Sequence, residues 1–138
     1  MKITTKGRYG LRAVINLASR DAGALVSIRS IAEEEGIPQE FLEQIFFKLR
    51  KKGIVSSSRG AGGGFRMALL PEEISVLDIL DAAGEEISLS PCSASEKTCQ
   101  NFKPCAALDI WVRGTEMIRD YFKNISVRDI IEKSVPGL

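Results

Sequence analysis

Apolar positions recur at three and four residues along most of the chain, the spacing of a helix that buries one face. Leu11, Val14, Ile15 and Ala18 set a first helix over about Arg8–Ser19. Ser27 stands ahead of Ile28 and Ile31, with Gly36 beyond, and predicts a short second helix over Ser27–Glu35. A serine hydroxyl satisfies free amides where a helix starts, and glycine readily takes the turn that ends one. Pro38 suits the first turn of a third helix, with Glu40 near its positive end. Phe41, Leu42, Ile45, Phe46 and Leu49 form its apolar stripe, and Gly53 stops it. The run IVSSSRGAGGGFRMAL then places two short strand-like segments around a glycine cluster, which predicts a β-hairpin. Ser75 heads a further helix carrying Val76, Ile79 and Leu80 and ending near Gly84, after which residues 85–104 show no period. A long amphipathic helix follows, with Ala107, Leu108, Trp111, Ile118, Tyr121 and Phe122 at helical spacing and Asn124 placed to cap it. Ile125–Ser134 makes a last short helix.

Helix, short helix, turn, helix and hairpin is the order of a winged helix-turn-helix, so the fold expected is mostly α with a small β-hairpin. In that arrangement the third helix enters the major groove of DNA and the hairpin lies along the backbone or in the minor groove. The expected division is a winged-helix DNA-binding domain over residues 1–84, a cysteine-containing loop over 85–105, and a dimerisation helix with a C-terminal helix over 106–138. Packing within one chain is the simpler role for the long helix. A unit this small would struggle to bury both its sides, however, and groove-reading modules generally act as symmetric pairs, so a homodimer is expected.

Charge sharpens this picture. The chain's 138 residues carry a formal net charge of only +1. Residues 1–66 hold 12 Lys and Arg against 6 Asp and Glu, a net of +6, and residues 67–138 hold 7 against 12, a net of −5. Between Gln44 and Pro71 there is no acidic residue and six basic ones: Lys48, Arg50, Lys51, Lys52, Arg59 and Arg66. Lysines at a helix end are often no more than a solvated complement to the helix dipole. Here they coincide with the third helix and the hairpin, which favours a double-stranded DNA partner. Gln39, Glu40 and Glu43 occupy the N-terminal positions of that helix, where glutamine can pair with adenine and glutamate can accept from cytosine N4. Charge complementarity at the helix start explains Glu40 equally well. Lys48 and Lys51 suit phosphates, and Arg59, at the hairpin tip, suits a narrow minor groove. Gly60 and Gly62 permit a close approach to the backbone; the cluster lacks the spacing of a nucleotide-binding loop.

The chain contains no histidine, which removes the commonest general base and every imidazole metal site. No nucleophile is paired with a base, so neither an enzyme nor a small-molecule substrate is expected. No apolar run approaches ~18 residues, and neither a membrane span nor export is indicated; a reducing, cytoplasmic compartment is expected. Cys92, Cys99 and Cys105, spaced C-x6-C-x5-C, are the chain's three cysteines. Soft thiolates select iron–sulfur clusters, zinc or copper(I), and the spacing is not the C-x2-C of zinc ribbons. A thiol redox switch or buried, inert cysteines fit the spacing equally well.

Three features together resemble the Rrf2 family of bacterial winged-helix regulators, in its IscR, NsrR and RirA group. They are the opening MKITTKGRYGLRAV, the run FLEQIFFKLRKKGIVSSSRGAGGGF, and three cysteines ahead of a long helix with Trp111. The resemblance spans nearly the whole chain. It implies a homodimeric transcriptional regulator whose cysteine loop holds an iron–sulfur cluster, [2Fe-2S] or [4Fe-4S], and whose third helix and wing bind operator DNA. It further implies Cys92, Cys99 and Cys105 as ligands, Glu43 as a residue that reads or rejects bases, and Arg59 as the wing's minor-groove arginine. Two positions depart from the group. Leu108 stands where IscR-like members carry a histidine, and Arg8 stands where nitric-oxide-sensing members carry an aspartate. Candidates for the fourth ligand are Asp109, a solvent-derived group or a small thiol. A metal-free thiol-sensing regulator is the alternative, and a protein-interaction module without DNA is a further one.

Overall fold

The computed structural model describes residues 1–94 and 105–138. Among these the chain runs α1 (Thr5–Ala18), α2 (Ile28–Glu35), α3 (Gln39–Lys51), β1 (Val55–Ser58), β2 (Gly64–Met67), α4 (Val76–Ala83), α5 (Pro91–Ala94), α6 (Leu108–Lys123) and α7 (Val127–Ile131). A single 3₁₀ turn at Pro71–Glu73 precedes α4. Helix α1 starts three residues earlier than the apolar repeat predicts, because its free amides find a distant partner. The Thr4 and Gly7 N–H groups donate to the Glu85 carboxylate at 3.1 and 3.0 Å. Pro38 sits just before α3 as its cap residue, and its carbonyl accepts from Leu42 N–H. At the other end of the chain α7 is shorter than predicted: it ends at Ile131 with Glu132 as its cap residue, and Lys133 beyond it, at a φ of 55°, leaves the helical path.

Helices α1, α2 and α3 enclose the main core. Val14, Ile31, Leu42, Phe46 and Leu49 are fully buried there, with Ile79 from α4 and Val127 from α7. The hairpin pairs β1 antiparallel to β2, Val55 opposite Met67 and Ser58 opposite Gly64. Val26, ahead of α2, exchanges both backbone hydrogen bonds with Phe65 at 2.8 Å and so adds a one-residue third strand. The Phe65 ring meets Phe46 edge-on at 4.9 Å, which ties the wing to α3.

A second, smaller core gathers Val76, Leu77, Leu80, Ile87 and Ile125, with Ile118 and Phe122 of α6 against it. It is organised by a repeat. Ile74–Ile79 and Ile125–Ile130 both read Ile-Ser-Val-x-Asp-Ile. In each copy the serine hydroxyl accepts from the aspartate N–H at 3.1 Å, and the aspartate accepts from the serine N–H at 2.8 Å. The two copies then pair with one another: Val76 N–H donates to Ile125 and Val127 N–H to Ile74, both at 2.9 Å. Helices α4 and α7 therefore spring from a shared two-residue ladder.

Candidate nucleic-acid interface and cysteine segment

Helix α3 buries Leu42, Ile45, Phe46 and Leu49 and leaves Gln39, Glu40, Glu43, Lys48 and Lys51 exposed. Glu43 accepts a hydrogen bond from the Gln39 side-chain amide at 3.0 Å, one helical turn away, so these two polar groups share one orientation. Lys48 has a role that spacing does not reveal. Its Nζ donates to the Ala83 carbonyl at 3.4 Å, where α4 ends, and so links α3 to α4. Arg50 reaches the wing, with Nη1 donating to Ser57 Oγ at 3.1 Å, and Arg66 Nε donates to Ser56 Oγ at 3.4 Å. At the wing tip Arg59 is exposed, and Gly60 and Gly62 hold φ values of 95° and 74° that a side chain would strain.

The charges are sorted by position. Arg20 of α1 pairs with Glu34 of α2, and Arg12 pairs with Glu35 at 3.1 Å. The Arg20 hydrogen bond, with those from Asn16 and Ser30, holds the Glu34 carboxyl down at about 2. Arg119 of α6 pairs with Asp81 of α4 at 3.0 Å. Among the described residues none of Lys48, Arg50, Lys51, Lys52, Arg59 and Arg66 is in an ion pair. The positive charge on α3 and the wing is thus open to an outside anion, while Arg12, Arg20 and Arg119 elsewhere are each paired with a carboxylate.

The cysteine segment leaves α4 through Glu85. Burial pushes the Glu85 carboxyl up, but hydrogen bonds from Thr4 and Gly7 and the charge of Lys6 outweigh it and hold the group below the ordinary carboxylate range. Beyond it a chain of hydroxyls joins α5 to α6. Ser88 Oγ lies 2.8 Å from Ser93 Oγ, Thr115 Oγ1 donates to Ser93 Oγ at 3.2 Å, and Leu89 N–H donates to Thr115 at 3.1 Å. Thr115 is buried, the one buried residue of α6. Cys92 is half-buried in α5, its Sγ 3.1 Å from Ser90 Oγ. Cys105 is exposed just ahead of α6, where its carbonyl accepts from Leu108 N–H at 3.0 Å. Asp109 is exposed in the first turn of α6, and Cys99 lies outside the described residues. Both described cysteines are free thiols, and among the described residues no three metal-ligating side chains gather at one point.

Along α6, Ile110, Met117 and Tyr121 form an exposed apolar stripe, 64, 60 and 50 % accessible, about 100° round the helix from Ile118 and Phe122, which join the second core. No helix among the described residues is long and apolar enough to cross a membrane.

Comparison with known proteins agrees with this architecture. Residues 3–133 match the Rrf2 family model, described as iron-dependent transcriptional regulator. The HTH-type transcriptional regulator IscR of Aliivibrio salmonicida is 36% identical over 131 residues, covering 95% of this chain and 77% of that protein. The solved structure of CymR, the global cysteine regulator of B. subtilis, superposes with a TM-score of 0.80 at 30% identity, over 96% of this chain and 98% of that one. Staphylococcus aureus CymR in its oxidized form gives 0.75 at 36% identity, over 96% and 97%. A winged helix with an open basic face, matched along nearly its whole length by DNA-binding regulators, places this chain in the Rrf2 family of transcriptional regulators.

Proposed function

We propose that the protein is a homodimeric operator-binding regulator whose DNA affinity is set by an iron–sulfur cluster on Cys92, Cys99 and Cys105. The observation that carries the DNA half is the band of uncompensated basic charge on α3 and the wing. Gln39, Glu40 and Glu43 face base edges, Lys51 and the backbone at Gly60 and Gly62 meet phosphates, and Arg59 enters a narrow minor groove. Lys48 adds its charge from the α4 junction. The exposed stripe on α6 receives the same stripe of a second copy.

The sensing half rests on donor chemistry. Cys92 and Cys105 are free, accessible thiols on either side of Cys99, and soft sulfur donors without histidine suit iron–sulfur chemistry. Asp109, in the α6 turn that follows Cys105, is the candidate for a fourth, oxygen ligand. A bound cluster supplies a centre that responds to oxygen, nitric oxide or iron supply. Cys92, Cys99 and Cys105 would hold that centre, and the Ser88, Ser93 and Thr115 hydroxyls connect α5, which carries Cys92, to the helix proposed to carry the dimer. Coupling of ~1–3 kcal/mol between the two sites suffices for a regulator. Anaerobic reconstitution with iron and sulfide is expected to give a brown protein whose thiolate-to-iron absorption disappears in the Cys92, Cys99 and Cys105→Ala triple variant. A colourless product overturns the cluster reading.

A second reading, a metal-free thiol switch, is favoured by the Staphylococcus aureus CymR relative, whose structure was solved in an oxidized form. Iron analysis combined with thiol counting before and after peroxide separates the two.

A further inference from the structure

Helix α3 carries two consecutive phenylalanines with opposite fates. Phe46 is fully buried, whereas Phe47 is 59 % exposed. At about 100° per residue, Phe47 points roughly 150° away from the mean direction of Leu42, Ile45, Phe46 and Leu49. It therefore occupies the middle of the outward arc, with Gln39, Glu43 and Arg50 to one side and Glu40, Gln44 and Lys51 to the other. Its ring is also held. The Arg50 guanidinium lies 5.8 Å from the ring centroid, and the same guanidinium donates to Ser57 Oγ on β1. Arg50 thus touches both the exposed ring and the wing, and favours one placement of the ring beside β1.

A phenyl ring offers no hydrogen bond to a base edge. The one apolar group that an unmodified base pair displays in the major groove is the C5-methyl of thymine. The geometry points to Phe47 as a specificity residue that packs on a thymine methyl in each half-site, beside the base pairs faced by Glu40 and Glu43. This deepens the groove-reading role proposed for α3 and rests on it. Arg50 is the positioning residue. Its ion-like contact with the ring and its bond to Ser57 set the angle at which the ring meets the groove floor.

The full-length protein is selected against a random duplex library, and the enriched site is scanned by replacing each thymine with deoxyuridine, which removes the methyl and leaves every hydrogen-bonding group intact. At one thymine per half-site the wild type is expected to lose about fourfold in affinity, the value of one buried methyl. Phe47→Ala binds the parent site more weakly and becomes indifferent to deoxyuridine at that position, whereas Phe47→Leu keeps part of the sensitivity. Arg50→Ala, with the ring freed, is expected to keep the preferred base and to lower the deoxyuridine effect. Because Phe47 is exposed, thermal melts of both Phe47 variants are expected to match the wild type. Equal deoxyuridine sensitivity in wild type and Phe47→Ala overturns the assignment, as does a wild type insensitive at every thymine. A wild type that enriches no sequence overturns the groove-reading role of α3 and the Phe47 assignment with it.

Discussion

At the scale of single residues, placement rather than chemistry decides what a side chain does. Phe46→Ala empties a fully buried site against Phe65 and is expected to cost about 3–5 kcal/mol in urea unfolding, with Phe47→Ala within about 0.5 kcal/mol of wild type. Helical periodicity predicts the burial of Phe46 but says nothing about the use of its neighbour. Lys48 and Glu85 show the same limit. Their partners, Ala83 and the α1 amides, lie 35 and 81 residues away, beyond the reach of any local pattern. Glu85 gives a pH signature. Its carboxyl is held below the ordinary range in the folded state, so its stabilising contribution is present above that range and lost as pH falls through the depressed value. The melting temperature of the wild type should therefore fall more steeply below pH 5 than that of Glu85→Gln. Parallel curves would show that the carboxylate contributes nothing through ionisation.

Elements with a clear start signal were legible from sequence, and those built by tertiary contact were not. Serines 27 and 75 head α2 and α4, and each hydroxyl accepts the expected backbone N–H; Ser126 caps α7 in the same way, just inside the predicted start at Ile125. The four residues of α5 have no room for a period, and the Val26–Phe65 bridge joins segments far apart in sequence. The repeated Ile-Ser-Val-x-Asp-Ile was in plain view as a string, but its meaning needed the fold. Replacing Ser75 or Ser126 by alanine is expected to cost about 1 kcal/mol each in thermal or urea unfolding. The double variant should depart from additivity, because the two caps flank one backbone ladder. At the wing, Arg59→Ala should lower the slope of log affinity against log salt by about one for DNA. An unchanged slope would remove Arg59 from the interface. Of the candidate site, the basic band followed directly from sequence. The grouping of Cys92, Cys99 and Cys105 stays an expectation of sequence alone, since Cys99 lies outside the described residues.

At the scale of the whole molecule, the apolar stripe on α6 and the open charge on α3 are two halves of one proposed design, a paired reader of a two-fold operator. Met117→Glu combined with Tyr121→Glu should give a monomer by sedimentation, with folding intact because both side chains are exposed, and should abolish tight binding to a palindromic site. A variant that still sediments as a dimer would move the interface elsewhere. The pairing of Ile74–Ser75–Val76 with Ile125–Ser126–Val127 has a consequence for synthesis on the ribosome. Val127 is fully buried in the core that supports α3, so the DNA-reading half stays incomplete until α6 has already emerged. The main core therefore receives Val127, its contribution from α7, only after α6 has been synthesised.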